Sequence, residues 1–115
     1  MKNTLGLICC TLALSLALTL SHALLRAAAS HIPMTLPWII RVATALSLYG
    51  LVFITYTLLL KHYDISVLYP LYTALSIMGV SLIGILYFGE SMSAYKIVGM
   101  MFLFIGIGLI SLPYN

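Results

Sequence analysis

The chain has 115 residues, of which 63% are hydrophobic and only 6% are charged, and its mean hydropathy is +1.20. A soluble domain of this composition would lack the polar side chains that cover a surface, so the composition indicates an integral membrane protein. The formal charge of +3 comes from five Lys and Arg residues against two acids, scattered along the chain. This spacing excludes a nucleic-acid-binding surface, which needs a dense basic patch.

Four apolar runs are predicted as membrane-spanning helices, because only a helix or a closed barrel satisfies every backbone hydrogen-bonding group in lipid. None of the runs alternates as a barrel strand does, and each is close to the roughly 20 residues that a crossing requires. The predicted spans are Thr4–Leu25, Leu36–Leu60, Ile65–Phe88 and Ala94–Leu112. The predicted fold is therefore all-α, a single four-helix transmembrane domain over residues 1–115, with Ser93 as the N-cap of the last helix.

The first predicted helix carries a polar stripe. At 100° per residue, five of its side chains fall within a sector of about 80°. They are Thr11, Ser15, Thr19, His22 and Arg26. Hydroxyl groups in this pattern either bond to their own helix and pack against neighbours or line a hydrated substrate pathway. His22 and Arg26 favour the pathway, because ionisable groups in a membrane helix are costly unless they snorkel, pair or face water.

The third predicted helix groups aromatic and hydroxyl side chains near its start. Tyr69, Tyr72, Thr73 and Ser76 share one face about 100° wide, and Pro70 lies among them. Tyr69 also fits the interfacial aromatic belt of a membrane protein, so both interpretations stay open for it. We predict that this face lines a substrate cavity together with the stripe of the first helix.

In the fourth predicted helix, Gly99 and Gly106 are seven residues apart and share a face. Small residues at this spacing allow close helix contact in lipid, so the pair is predicted to form a packing or dimer face. No pairing of a nucleophile with a base, no metal-ligand spacing and no phosphate-binding loop is present in the sequence. We therefore predict neither an enzyme nor a cofactor or metal site.

The second half of the chain resembles a known family. From Tyr69 onwards, the sequence YPLYTALSIMGVSLIGILYFGESMSAYKIVGMMFLFIGIGLISL is similar to the last two helices of small multidrug resistance proteins and, more broadly, of the drug/metabolite transporter superfamily. The most specific features are Tyr69 opening the third helix, the FGE turn, and IVGMMFLFIGIGLI with its paired glycines. The YP start and the GESMS turn look closer to the four-helix subunits that flip aminoarabinose linked to undecaprenyl phosphate.

The resemblance implies a protein of the bacterial inner membrane that works as a homodimer or as a heterodimer with a similar four-helix chain. Helices one to three would line the cavity, with Tyr69 and Tyr72 at its aromatic positions, and helix four would hold the dimer together. One departure is clear. The proton-coupled branch carries a glutamate in helix one, eight residues before a basic residue, and counting back eight from Arg26 gives Leu18. The missing acid argues against proton-driven export of cationic drugs.

The leading functional hypothesis is a transporter or flippase subunit that moves an amphipathic or lipid-linked substrate, such as a polyprenyl-phosphate-linked sugar, by alternating access. Hydroxyls and aromatics would bind the sugar, and Arg26, with His22 or Lys61, would bind the phosphate through charge-assisted hydrogen bonds. One alternative is a cation or polyamine antiporter with a glutamate-bearing partner. Another is an accessory membrane subunit without transport activity. Membrane lipid is the expected surrounding in each case.

Overall fold

The computed structural model describes residues 4–112, which form four helices and, within that range, no strand. The helices are α1 (Thr4–Ala28), α2 (Leu36–Leu59), α3 (Ile65–Leu86) and α4 (Ala94–Ser111). All four are long and apolar enough to cross a membrane, so the predicted fold class is confirmed. The largest difference from the predicted spans is in α1, which continues past Leu25 to Ala28.

Local sequence explains where several of these helices begin and end. Pro37 occupies the first turn of α2, where its missing N–H is no loss. The Ser93 hydroxyl accepts a hydrogen bond of 3.2 Å from the backbone N–H of Lys96, which confirms it as the N-cap of α4. Past the end of α3, Gly89 has a φ of +68°, a left-handed conformation that glycine adopts without strain. These caps produce short turns, so consecutive helices run antiparallel.

The core of the molecule lies where α1 meets α2 and α3. Apolar side chains from these three helices form a buried cluster. Its members are Leu7, Leu14, Val52, Leu68, Leu71 and Tyr72. The fourth helix packs mainly against α3, with Ile107 and Ile110 next to the buried cluster, and none of its described residues is buried. Helix α1 therefore lies between α2 and α3, and α4 is attached to α3.

Candidate functional site

Antiparallel packing brings the end of α1, the start of α2, the end of α3 and the start of α4 to one side of the bundle. We call this side the arginine end, because Arg26 and Glu90 meet there. The opposite side is the tyrosine end, defined by Tyr56, Tyr69 and Tyr72. Along α3, the 15 residues from Tyr69 to Gly84 correspond to roughly 22 Å. The predicted site residues near the helix ends therefore separate into two clusters at opposite ends of the bundle.

At the arginine end, Arg26 of α1 contacts the loop that connects α3 to α4. Its Nε atom lies 3.5 Å from Oε1 of Glu90, and its guanidinium carbon lies 5.1 Å from the centroid of the Phe88 ring. The ion pair is partly solvated, with side-chain exposures of 52% for Arg26 and 43% for Glu90. The aromatic ring orients the guanidinium through a cation–π contact, so the planar group has a defined position.

A small cavity lies directly beside this ion pair. It has a volume of about 90 Å³, and its lining includes Thr19, His22, Arg26, Gly84 and Glu90. The Thr19 side chain is only 6% exposed, and its hydroxyl has no hydrogen-bond partner between residues 4 and 112. Residues 4–112 contain no fully buried side-chain nitrogen or oxygen without a hydrogen-bond partner, so this hydroxyl is reached from the cavity and can donate to a polar guest there.

His22 joins α1 to α2 through a direct hydrogen bond. The hydroxyl of Tyr49 and Nε2 of His22 are 2.7 Å apart, and the two rings meet edge to face with centroids separated by 5.6 Å. On its other side, His22 lines a second pocket of about 220 Å³ together with Ser76 and Ser81 of α3. His22 and Ser76, predicted from separate helices, are therefore brought to one pocket.

Three tyrosine rings form the opposite cluster. Tyr56 of α2 lies with its ring centroid 5.4 Å from that of Tyr72 and 6.3 Å from that of Tyr69, and the Tyr69 and Tyr72 rings are 5.6 Å apart. Tyr72 is buried, whereas Tyr69 is 52% exposed. Thr73 donates its hydroxyl hydrogen to the backbone carbonyl of Tyr69 at 2.6 Å. The cluster thus offers aromatic faces and phenol hydroxyls that can contact a sugar.

Three of the predicted cavity hydroxyls lie inside the packed bundle. Thr11, Ser15 and Ser76 are buried. Each donates a hydrogen bond to a carbonyl of its own helix: Thr11 to Leu7 at 2.9 Å, Ser15 to Leu12 at 2.8 Å, and Ser76 to Thr73 at 2.8 Å. This is the arrangement expected of packing residues. Substrate contact by Thr11 and Ser15 stays a prediction that would require the helices to separate.

Gly99 and Gly106 line a wide apolar groove between α3 and α4. The groove has a volume of about 510 Å³ and also includes Tyr69 and Pro70. A Cβ atom added to either glycine would have nothing within 4 Å. The glycines are therefore not needed for packing within one protomer, and the face they form is open to a second chain.

Comparison with protein families decides how this bundle is classified. The family model described as Small Multidrug Resistance protein matches residues 38–103, which is more than half of the chain. The chain belongs to the small multidrug resistance family. No curated protein and no solved structure matches it. The membership confirms the resemblance at family level and, with four membrane-long helices, identifies an integral membrane protein of transporter type. The closer likeness to aminoarabinose flippase subunits stays a prediction.

The matched segment of this small multidrug resistance protein runs from the start of α2 into α4 and leaves α1 outside. Leu18 of α1, which the resemblance places opposite the glutamate of the proton-coupled branch, packs against the buried core cluster. Both acids of the chain, Asp64 and Glu90, lie outside the helices. The acid nearest to the polar stripe of α1 is therefore Glu90, supplied by a loop.

Sequence reasoning missed four residues that the structure places in the two clusters. They are Tyr49, Tyr56, Phe88 and Glu90. Tyr49 and Tyr56 are seven residues apart on α2, a spacing that places them on one helix face and could have identified them. Phe88 and Glu90 were noted only as part of the family turn. Their contacts with Arg26 depend on how the loop folds back, which no periodicity encodes.

Proposed function

We propose that the chain is one subunit of a dimeric transporter that moves a small amphipathic or lipid-linked substrate across the bacterial inner membrane by alternating access. The substrate class we propose is a polyprenyl-phosphate-linked sugar, whose lipid tail remains in the bilayer while its headgroup crosses. The role is one of transport rather than of enzyme catalysis.

The observation that carries this proposal is that the Arg26 guanidinium has hydrogen-bond donors available to a ligand. The guanidinium makes no hydrogen bond to any other residue of the described range, and it borders the cavity that the Thr19 hydroxyl also lines. A guanidinium has five N–H donors and binds phosphate oxygens in a bidentate manner. No carboxylate lies within a helix to receive a cation. The site therefore suits an anionic headgroup better than a cationic drug.

The tyrosine cluster and the arginine end have complementary chemistry for such a substrate. The guanidinium of Arg26 would bind the phosphate at one membrane surface. Tyr56, Tyr69 and Tyr72 would contact the sugar ring near the other surface through their faces and hydroxyls. A headgroup that exchanged between these clusters would cross most of the membrane, which is the displacement that a flippase must produce.

A dimer is proposed because the polar side chains of α1 between the two clusters, Thr11 and Ser15, are buried within one protomer. Thr11 and Ser15 lie sealed inside α1's contacts with α2 and α3, so the headgroup must pass between chains or through a transiently opened bundle. The open face at Gly99 and Gly106 is available for the second chain. A homologous partner or a second copy would serve equally well.

The test is flipping of a fluorescent polyprenyl-phosphate sugar in proteoliposomes, followed by quenching of the outer leaflet. We expect Arg26→Ala to abolish flipping and Arg26→Lys to retain a small part of it, because an ammonium lacks the bidentate fork. Arg41→Ala is the matched control, since Arg41 lies on the same membrane side and donates to the Pro37 carbonyl at 3.2 Å, away from the cavity.

Two results would count against the proposal. Flipping by Arg26→Ala at the wild-type rate, with normal expression, would remove Arg26 from the substrate pathway. Proton release on addition of a polyamine to the purified chain, insensitive to Arg26→Ala, would instead favour the cation antiporter.

A further inference from the structure

The loop between α3 and α4 folds back onto the last turn of α3. The backbone N–H of Glu90 donates to the carbonyl of Gly84 at 2.9 Å. A Cβ atom on residue 84 would lie 2.5 Å from Oε2 of Glu90, a separation that atoms of this kind do not tolerate. Because residue 84 is glycine, the carboxylate of Glu90 can lie directly against the helix and point toward Arg26.

The contact between Glu90 and Arg26 is electrostatic and weak. A single Nε to Oε1 approach of 3.5 Å joins the two groups, without the geometry of a hydrogen bond, and both side chains are about half exposed. Exposed pairs of this kind are worth little, because water and salt screen them. The terminal nitrogens of Arg26 have no protein partner within residues 4–112. Most of the guanidinium's hydrogen-bonding capacity is therefore unused.

The neighbouring cavity offers further donors for an anion. Thr19 contributes a hydroxyl that borders the cavity and makes no hydrogen bond within residues 4–112, and His22 lines the same space. The volume of about 90 Å³ equals roughly three waters of the liquid, enough for a small tetrahedral group. Arg26 and Thr19 belong to one helix, so the donors are held in a fixed relation to each other.

We propose that Glu90 is an internal occupant of an anion subsite formed by Arg26 and Thr19, and that the phosphate of the substrate displaces it. Phosphate offers several acceptor oxygens to the guanidinium and forms shorter, stronger charge-assisted bonds than the existing pair. Displacement removes the ion pair between α1 and the α3–α4 loop and leaves the contact of Arg26 with the Phe88 ring. Substrate binding is thereby coupled to release of the loop where α4, the proposed dimer helix, begins. This inference rests on the proposed function and adds a mechanism to it.

The proposal predicts that weakening the internal occupant strengthens anion binding. Glu90→Gln removes the competing charge. Gly84→Ala keeps the charge but pushes the carboxylate away from its seat. Two chemically different variants should therefore shift affinity in the same direction, which a general loss of stability would not produce.

The measurement is the dissociation constant of farnesyl phosphate for the purified full chain in detergent micelles, with inorganic phosphate as a headgroup-only probe. We expect Glu90→Gln and Gly84→Ala to bind farnesyl phosphate roughly two- to fivefold more tightly than wild type. Arg26→Ala should abolish binding, alone and combined with Glu90→Gln. Response to both probes would identify a free-phosphate site, and response to farnesyl phosphate alone a lipid-headgroup site.

Two matched controls test whether a change in net charge, or a glycine-to-alanine substitution in general, alters the affinity without any displacement of Glu90. Asp64→Asn removes the other acid of the chain, at the tyrosine end, and should leave the affinity unchanged. Gly50→Ala adds a methyl group where nothing lies within 4 Å and should also leave it unchanged. A tightening in Asp64→Asn equal to that in Glu90→Gln would reduce the effect to net charge and overturn the proposal.

Loop release has its own readout. A spin label on Ser91→Cys, in a chain with Cys9→Ala and Cys10→Ala, should become more mobile when farnesyl phosphate is added, and should be mobile from the start in Arg26→Ala. Suppose that binding depends on Arg26, that Glu90→Gln leaves it unchanged or weakens it, and that the spin label does not respond. This result would overturn the displacement of Glu90 and leave the anion site in place. Failure of wild type and all variants to bind either probe would reject the anion site, and the proposed function with it.

Discussion

The Oγ1 atom of Thr19 on α1 lies 2.6 Å from the point that a Cβ atom on residue 79 of α3 would occupy. Only glycine fits at this crossing, and Thr19 is held there because β-branched side chains have few rotamers in a helix. The methyl group of Thr19 is also close, at 3.2 Å from the same point. The contact fixes how near α1 and α3 approach beside the proposed anion subsite.

We therefore expect Gly79→Ala to destabilise the protein. Overpacking costs about 1–3 kcal/mol, and the gain in helix propensity, up to about 1 kcal/mol, offsets only part of it. Thermal unfolding in detergent would measure the change. Gly50→Ala, with open space around it, should be neutral or stabilising. Adding Thr19→Ala should rescue Gly79→Ala, and a lack of rescue would show that the strain lies elsewhere.

The second prediction concerns the hydrogen bond between His22 and Tyr49, 2.7 Å long and the polar link between α1 and α2 at this depth. Tyr49→Phe keeps the ring and removes the hydroxyl, so unfolding free energy should fall by about 0.5–1.5 kcal/mol. A double-mutant cycle with His22→Ala should give a coupling energy of similar size. Additive losses would mean that the two side chains do not stabilise each other.

The third prediction concerns Tyr56, which no family motif in the sequence indicated. Its ring contacts both Tyr69 and Tyr72, and aromatic pairs contribute about 0.5–1.5 kcal/mol beyond burial. Tyr56→Ala should lower flipping in proteoliposomes roughly tenfold, and Tyr56→Phe should lose less. Tyr95→Ala is the control, because Tyr95 is 91% exposed at the start of α4. Equal losses in Tyr56→Ala and Tyr95→Ala would assign them to general instability.

Sequence alone predicted the four helices because hydropathy and length determine spanning segments, and the Ser93 cap and the turns carried local signals. It also selected side chains that the structure groups, such as His22 with Ser76 at one pocket. The sequence did not distinguish hydroxyl side chains that pack between helices from those that line a cavity. Thr11 and Thr19 occupy the same stripe, yet Thr11 bonds to its own helix whereas Thr19 borders the cavity. That distinction depends on where Gly79 of another helix crosses. Glu90 escaped prediction because its contact with Arg26 requires the loop to fold back over Gly84.

The last prediction concerns the dimer face on α4. Gly106 has nothing within 4 Å of an added Cβ, so Gly106→Leu should leave the protomer folded. If a second chain packs against this glycine, the larger side chain would separate the helices, because association in lipid depends on close van der Waals fit. We expect a dimer measured by light scattering in detergent to shift to monomer, with flipping lost in parallel. Gly50→Leu on α2 is the matched control and should remain dimeric. A Gly106→Leu protein that stays dimeric and active would place the interface on another helix, and Gly99→Leu would then be expected to have no effect either.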